Sequence, residues 1–452
     1  MQLTKIKKII LDNSLNELPN LLQFLEDNWS KYDETDLRDI AEYANANRQK
    51  NSAYYTDSFI VNDIIESLPI LNKSKISVLE PAVGTGNFLL PFIKKFSSVY
   101  KEITITVNDI DNDSLKVTKF FLSKHIIPKN IHINYSNYDF LGDLFFVNNT
   151  EYDYVIGNPP FQRISEKNAQ EYGNHVTNLA GQFLLKAASI ANIVGLVMPK
   201  NFLSTKDYEE ARDRVSTLSI DAIIDFGEKG FKGVLIETIA LIISKHGKDA
   251  VNIKSYIDNT DREVSQKYIT DKKYPVWLVY RNKQFDKIAA NMQFNIFKVF
   301  RDRQITNSIL SDKGDIRVIK SRNIKRDGSG LKKIKGYDAY ISKTDAKKLR
   351  VMNYFSDKDV YLVPNMTYYP RMIKKQSNYI VNGSVAILKL KPEKSINSKQ
   401  VRFFSTDTFN KFYRIARNKG TRSLNIDSTS IFWFGKILSE NIANIANIGE
   451  QS

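Results

Sequence analysis

Two stretches of this chain collect residue types that could do chemistry. The tetrapeptide Asn158-Pro159-Pro160-Phe161 closes the apolar run 152–156. Proline holds the residue before it in extended geometry, so Asn158 should finish a strand. Its amide and the Pro159 carbonyl then project from the strand's carboxyl end, with the ring of Phe161 beside them. Ligands of open α/β sheets bind at that end. A bare Asn-Pro-Pro more often marks a plain strand-ending turn, so its chemistry depends on what precedes it. The second stretch is Glu80-Pro81-Ala82-Val83-Gly84-Thr85-Gly86, where the two glycines let the backbone turn tightly and approach a ligand closely. Further on, Asp109 stands where an acid can accept ribose hydroxyls. Asp139-Phe140 adds an acid next to a ring that could hydrogen-bond and flank a purine. No Gly-Lys-Ser/Thr follows the glycine turn, which excludes a Walker-type phosphate loop.

These residues need a scaffold, and the hydrophobic periodicity supplies one. Buried-strand runs are expected at 76–80, 103–107, 131–135, 152–156, 194–199, 220–226 and 237–244, with helices at 88–96, 181–188 and 208–218. This alternation is that of a doubly wound α/β domain. Ahead of it, apolar residues at helical spacing (Ile6, Ile10, Leu18, Leu21, Leu25) make residues 1–47 a helical cover with no chemistry of its own. Thr56 or Asp57 is placed to cap a helix through Ile60, Ile64 and Leu68. The polar stretch 245–275 is read as a domain boundary, separating residues 48–250 from a mixed α+β domain over residues 276–452.

Composition narrows the chemistry. The chain has no cysteine, which excludes thiol nucleophiles and Cys-ligated zinc and fits a reducing compartment. Its four histidines, at 125, 132, 175 and 246, have no metal-ligand spacing, so no metal is expected. Neither a signal peptide nor a membrane-length apolar run is evident, and a cytoplasmic location is expected. The net charge of +16 is unevenly distributed: residues 1–250 carry 27 Lys+Arg against 32 Asp+Glu, and residues 251–452 carry 39 against 18. That asymmetry points to a polyanion met by the second half, against the alternative of a solvated lysine-rich surface. Within this half, basic and aromatic residues interleave in three stretches: 320–326 (with Arg322, Lys325, Arg326), 368–375 (Tyr369, Arg371, Lys374) and 411–422 (Arg417, Lys419, Arg422). Arginine can pair with phosphate or guanine edges and aromatics can stack, so these are the candidate nucleic-acid-contacting residues.

The set and order of these stretches resembles the S-adenosylmethionine-dependent adenine-N6 methyltransferases of DNA, of the gamma class, in which a Rossmann-like methyltransferase domain precedes the specificity domain. The likeness covers about residues 50–245, and residues 314–323 and 420–425 are similar to a TaqI-type specificity domain. The resemblance implies that Tyr55 and Thr56 meet the methionine carboxylate of the cofactor, and that Glu80, Ala82, Gly84 and Gly86 form its loop. Asp109 would hold the ribose with Ile110 beside the adenine, Asp139 and Phe140 would meet the adenine amino group and ring, and Phe183 would lie near them. Asn158, Pro159, Pro160 and Phe161 would be the catalytic tetrapeptide, with Phe161 and Phe231 stacking on the target base. Two positions depart from the family pattern: Lys232 follows Phe231 where proline is usual, and Phe161 stands where tyrosine is frequent. The implied partners are double-stranded DNA and a restriction endonuclease acting separately, with no membrane. An RNA amino-methyltransferase and a non-catalytic DNA-binding subunit remain the alternatives.

Overall fold

The structure, a computed structural model, describes residues 1–45, 57–142, 146, 151–230, 235–376, 378–420 and 424–438. The chain forms two compact units, Met1–Asp271 and Lys272–Ser452. Tyr55, Thr56, Phe231 and Arg422 lie outside the described residues.

In the first unit, the apolar runs become β1 (Lys75–Glu80), β2 (Glu102–Asn108), β3 (Ile131–Ser136), β4 (Tyr152–Gly157), β5 (Ala191–Pro199), β6 (Ser219–Gly227) and β7 (Thr238–Ser244). With β8 (Val251–Ser255) and β9 (Thr260–Val264) they make a nine-stranded sheet in the order β3-β2-β1-β4-β5-β7-β6-β8-β9. Strands β3 to β5 along this order are parallel, β7 runs antiparallel between β5 and β6, and β9 closes the edge antiparallel to β8. The connection order reverses between β1 and β4, which makes a Rossmann-like sheet with its switch point beside the tetrapeptide. The centre of the sheet is covered on both faces, and every residue of the parallel strand β4 and of the antiparallel strand β7 is accordingly buried.

Helices α4 (Ser58–Ser67), α5 (Leu89–Phe96), α6 (Asn112–Ser123), α7 (Glu166–Glu171), α8 (Leu179–Ile190) and α9 (Glu209–Val215) accompany this sheet. Asp57 caps α4, its side chain accepting from Phe59 N at 3.3 Å. On α5, Phe92 and Phe96 each pack 5.6 Å from the Tyr154 ring, and the Tyr154 hydroxyl is shared with Tyr100 (2.7 Å) and Pro69 O (2.7 Å). The cover is three helices, α1 (Leu3–Asp12), α2 (Leu18–Asn28) and α3 (Glu34–Ala44), whose core of Ile6, Leu25, Leu37 and Ile40 continues into Val117 and Phe121 of α6. Among the described residues, no helix is long and apolar enough to cross a membrane.

The polar stretch 245–275 does hold the division between units, at Asp271, but it is not irregular throughout: it contains β8 and β9, which extend the sheet and carry the first unit beyond residue 250. β9 is an exposed-edge strand with three charged residues in five, a composition that hides its extended backbone from hydrophobic periodicity.

The second unit is built from short strands. β10 (Met292–Gln293) pairs with β20 (Lys436–Ile437), and β15 (Met366–Thr367) with β19 (Leu424–Asn425). A four-stranded sheet has the order β11 (Phe297–Arg301), β18 (Val385–Leu390), β14 (Val360–Pro364), β16 (Ile373–Lys374). A three-stranded one has the order β13 (Ala339–Ile341), β12 (Ile316–Ile319), β17 (Tyr379–Val381). Both larger sheets feed one core that includes Val318, Ile341, Leu362, Ile380 and Ile387.

Gly195 lies in the middle of β5 under α4, where a Cβ would stand 2.8 Å from Leu68 Cδ2 and 3.4 Å from Ile64 Cγ2. Gly195→Val is therefore expected to overpack this layer and lower stability by about 1–3 kcal/mol, read from the denaturant midpoint.

Candidate functional site

The carboxyl ends of β1, β2 and β4 open into a cavity of about 370 Å³. Its floor is the turn after β1, where Gly84 and Gly86 adopt φ of +55° and +78°. The left-handed geometry favours glycine at both positions, and a Cβ on Gly86 would also lie 2.9 Å from Thr118 Cγ2. Thr118 of α6 donates to Gly84 O at 2.9 Å and so holds the turn from below.

The acids predicted from sequence sit around this turn. Asp109 Oδ2 accepts from Gly84 N (2.9 Å) and its Oδ1 from Asp111 N (2.9 Å), so it braces the glycine turn while lining the cavity. Burial pushes its carboxyl up to about 6, against the pull of those backbone N–H groups. Glu80 is 1% exposed, and its Oε2 has no partner among the described residues. Its pKa is raised well above the usual carboxylate range, first by desolvation and then by the negative charge of Asp109, with Arg38 opposing. A buried carboxyl pair with an unused acceptor oxygen suits a ligand carrying positive charge and N–H or O–H donors.

The aromatic side of the cavity is formed by Phe140 and Phe183, whose ring centroids are 4.9 Å apart, with Phe146 a further 5.3 Å from Phe140. Asp139 and Ile110 also line the cavity, Ile110 being largely exposed. Asn158 and Pro160 reach the same space from β4. The chain leaving the tetrapeptide is fixed to the start of α8: Asn178 Nδ2 donates to Phe161 O (3.0 Å), Leu179 N donates to Gln162 O (2.9 Å), and Asn178 caps the helix through Ala180 N (3.0 Å). Phe161 is partly buried against the sheet's core.

Three contributors escaped the sequence reading. Asn108, fully buried, donates to Pro81 O (3.0 Å) and Tyr138 O (3.0 Å) and accepts from Tyr138 N (3.1 Å) and Ser136 Oγ (3.0 Å), joining the loops after β1, β2 and β3. Arg38 of α3 donates from Nη1 to Thr85 O in the glycine turn, pairs with Glu34 at 2.7 Å and lies 4.2 Å from the Phe121 ring. The cover itself supplies one wall of the cavity, through Leu15, Leu18, Leu21, Ala41, Glu42 and Asn45. A contiguous polar signal would have been needed to find these, and each contact instead spans a long sequence separation.

In the second unit, the basic stretches fold into different roles. The Arg326 guanidinium lies 4.0 Å from the Tyr369 ring centroid, and that of Arg322 lies 4.8 Å from Tyr337. The guanidinium of Arg371 is occupied inside the unit, donating to Ser321 O (3.1 Å), Ile324 O (3.3 Å), Thr367 Oγ1 (3.1 Å) and Tyr369 O (3.2 Å). It thereby ties the first two basic stretches together. Lys325 and Lys374 are exposed, the latter 3.6 Å from Asp359. Arg417 is 3.9 Å from Asp427, and Lys419 lies 4.9 Å from the Tyr280 ring centroid. Among the described residues, no group of three or more His, Asp or Glu side chains could hold a metal ion.

With the geometry established, comparison with known proteins is informative. The model of the N-6 DNA methylase family matches residues 38–274. The chain is similar to the type II methyltransferase M.VspI of Vibrio sp. (strain 343), 28% identical over 243 residues, a match that spans 51% of this chain and 58% of that protein. Among solved structures it is similar to the methyltransferase subunit of a type I restriction-modification system from Streptococcus thermophilus (15% identity, TM-score 0.39, 53% of this chain and 62% of that one). It is also similar to the type IIL restriction-modification enzyme MmeI, solved with DNA (12% identity, TM-score 0.45, 96% of this chain and 67% of that one).

The raised carboxyls make ligand binding pH-dependent in a defined direction. Below about pH 6 the Asp109 carboxyl is protonated and gives a cation nothing; above it the ionised group attracts one. Affinity for a ligand carrying a sulfonium or ammonium charge is expected to rise between about pH 5 and about pH 7, and more steeply than that for its uncharged analogue, as calorimetry at each pH would show.

Proposed function

Because the chain belongs to the N-6 DNA methylase family, we propose that it transfers a methyl group from S-adenosylmethionine to N6 of an adenine swung out of duplex DNA, as the modification half of a restriction-modification system whose endonuclease acts separately. In this reading it is a gamma-class enzyme with a TaqI-like specificity domain over residues 276–452. The observation that carries it is the convergence of Asn158 and Pro160 with Glu80, Gly84, Asp109 and Phe140 on one cavity.

The residues present fit the cofactor. The cavity is of ligand size, Glu80 Oε2 is a buried acceptor awaiting a donor, and the Phe140–Phe183 pair offers a flat apolar wall. Glu80, Ala82, Gly84 and Gly86 would hold its amino-acid end together with Tyr55 and Thr56. Asp109 would take the ribose, and Ile110, Asp139, Phe140 and Phe183 the adenine. When bound, S-adenosylmethionine supplies an electrophilic methyl group.

The chain's own task is to present the nitrogen. An exocyclic adenine amine is a weak nucleophile because its lone pair is delocalised into the ring. The Asn158 side-chain oxygen and the Pro159 carbonyl accept hydrogen bonds from its two N–H groups and favour a more tetrahedral nitrogen, with the lone pair pointing away from both. This is preorganised electrostatics and positioning. One of the two hydrogen-bonded protons is the one the nitrogen finally sheds; it leaves to water once the nitrogen has gained the methyl group, so neither acceptor has to be a strong base. Inside a duplex the amine is unreachable, so the base is flipped out and stacked on Phe161, with Phe231 as a second apolar wall. Pro159 and Pro160 keep the two acceptors from turning away.

Asn158→Ala is expected to lower methyl transfer to DNA about 100-fold or more with S-adenosylhomocysteine affinity nearly unchanged. A tritiated-methyl assay on DNA, RNA and protein substrates measures this and also identifies the acceptor; wild-type turnover by the variant defeats the mechanism. For Phe161→Ala, the signal of a fluorescent adenine analogue at the target position should show the flipped base about fivefold less populated. An unchanged signal removes the stacking role.

A further inference from the structure

The unit Lys272–Ser452 contains a cleft of about 770 Å³, lined by none of the basic residues singled out above. Its walls include Arg301, Asp302 and Arg303 at the exit of β11, Arg350, and Asp427. Some of these groups are already employed. Arg301 donates to Asn365 Oδ1 at 3.1 Å, and Asp427 Oδ1 accepts from Thr429 N (3.0 Å) and Ser430 N (2.7 Å).

Three others keep a polar group that nothing among the described residues engages. Asp302 is 3% exposed, and its Oδ2 accepts from Gln304 N (3.1 Å) and Ile305 N (2.7 Å), whereas its buried Oδ1 has no partner among the described residues. Arg303 and Arg350 are exposed, and among the described residues nothing engages either guanidinium. Arg350 is nevertheless located, since its backbone N–H donates to Gln304 Oε1 at 2.8 Å, in the same turn that Asp302 caps.

The mixture of signs selects the ligand. A simple anion would meet the carboxylates of Asp302 and Asp427, and a simple cation would meet three guanidinium groups. A DNA strand offers both complements at once: phosphate oxygens for the arginines and an exocyclic amino group, cytosine N4 or adenine N6, for a carboxylate acceptor. We propose that this cleft is a DNA-contact site in which Arg303 and Arg350 bind backbone phosphates and Asp302 Oδ1 accepts from a base amino group, so that it takes part in sequence choice. The proposal rests on the DNA-methylating reading above.

The test uses the full chain with S-adenosylhomocysteine and a fluorescein-labelled random-sequence DNA duplex, followed by anisotropy across a salt series. Arg303→Ala/Arg350→Ala is expected to bind about tenfold more weakly and to reduce the salt slope by about 2, with its melting temperature and S-adenosylhomocysteine affinity unchanged. Asp302→Asn, which keeps an oxygen for the turn but changes the acceptor, is expected to leave random-sequence affinity intact. It should broaden one position of the methylated motif read by sequencing DNA from expressing cells. A double variant that binds like wild type overturns the phosphate contacts, and an unchanged motif overturns the reading role of Asp302. Equal loss of affinity for an RNA duplex or for free mononucleotides would likewise defeat the commitment to DNA. A wild-type chain that binds no DNA fails the functional reading itself, a result distinct from any of these.

Discussion

Parallel strands end in loops whose backbone groups have no neighbour to pair with, and here the side chain of Asn108 answers for three of those loops together. Its amide spans from Pro81 to Tyr138 with four hydrogen bonds and no exposure to water. In a buried setting, unsatisfied amide groups are costly, so the loops after β1, β2 and β3 are stable mainly in the arrangement that satisfies Asn108. The acids and rings around the cavity inherit their places from that arrangement. Asp109 follows Asn108 directly, and Asp139 and Phe140 follow Tyr138.

The electrostatics of the cavity follow from the same burial. Two carboxyls, Glu80 and Asp109, are withdrawn from water, which raises both, and the charge of Asp109 raises Glu80 further. A fold under no functional demand would relieve this cost with a neutral residue or a full set of donors. Here the backbone N–H groups of Gly84 and Asp111 stabilise Asp109, while one oxygen of Glu80 is left for something else.

Much of the first unit was legible in the sequence because buried parallel strands are continuous apolar runs ended by Gly, Pro or Asn. Strands β1 to β7 and the turn at Gly84 fall where those rules place them. The edge strand β9 was not, since Thr260-Asp261-Arg262-Glu263-Val264 carries almost no apolar signal. The role of the cover was also hidden: Ile6, Leu25 and Leu37 announce a helical core, but nothing in the periodicity shows that Arg38 reaches a carbonyl 47 positions away. In the second unit charge was readable and pairing was not. Arg371 looks like its exposed neighbours in sequence, yet its guanidinium is committed to four protein oxygens. Asp302 lay outside the basic stretches and so drew no notice.

The bond from Arg38 to Thr85 has a thermodynamic corollary. Free-energy coupling is reciprocal: whatever fixes the carbonyl of Thr85 also favours the docked position of α3, and whatever loosens α3 slackens the glycine turn. Glu34 extends that coupling to His125 at 2.9 Å, at the far end of α6. The helical segment that carries none of the chemistry thus shares in the energy of every ligand that settles on the turn, and occupancy of the cavity and cohesion of the amino-terminal helices rise and fall as one quantity.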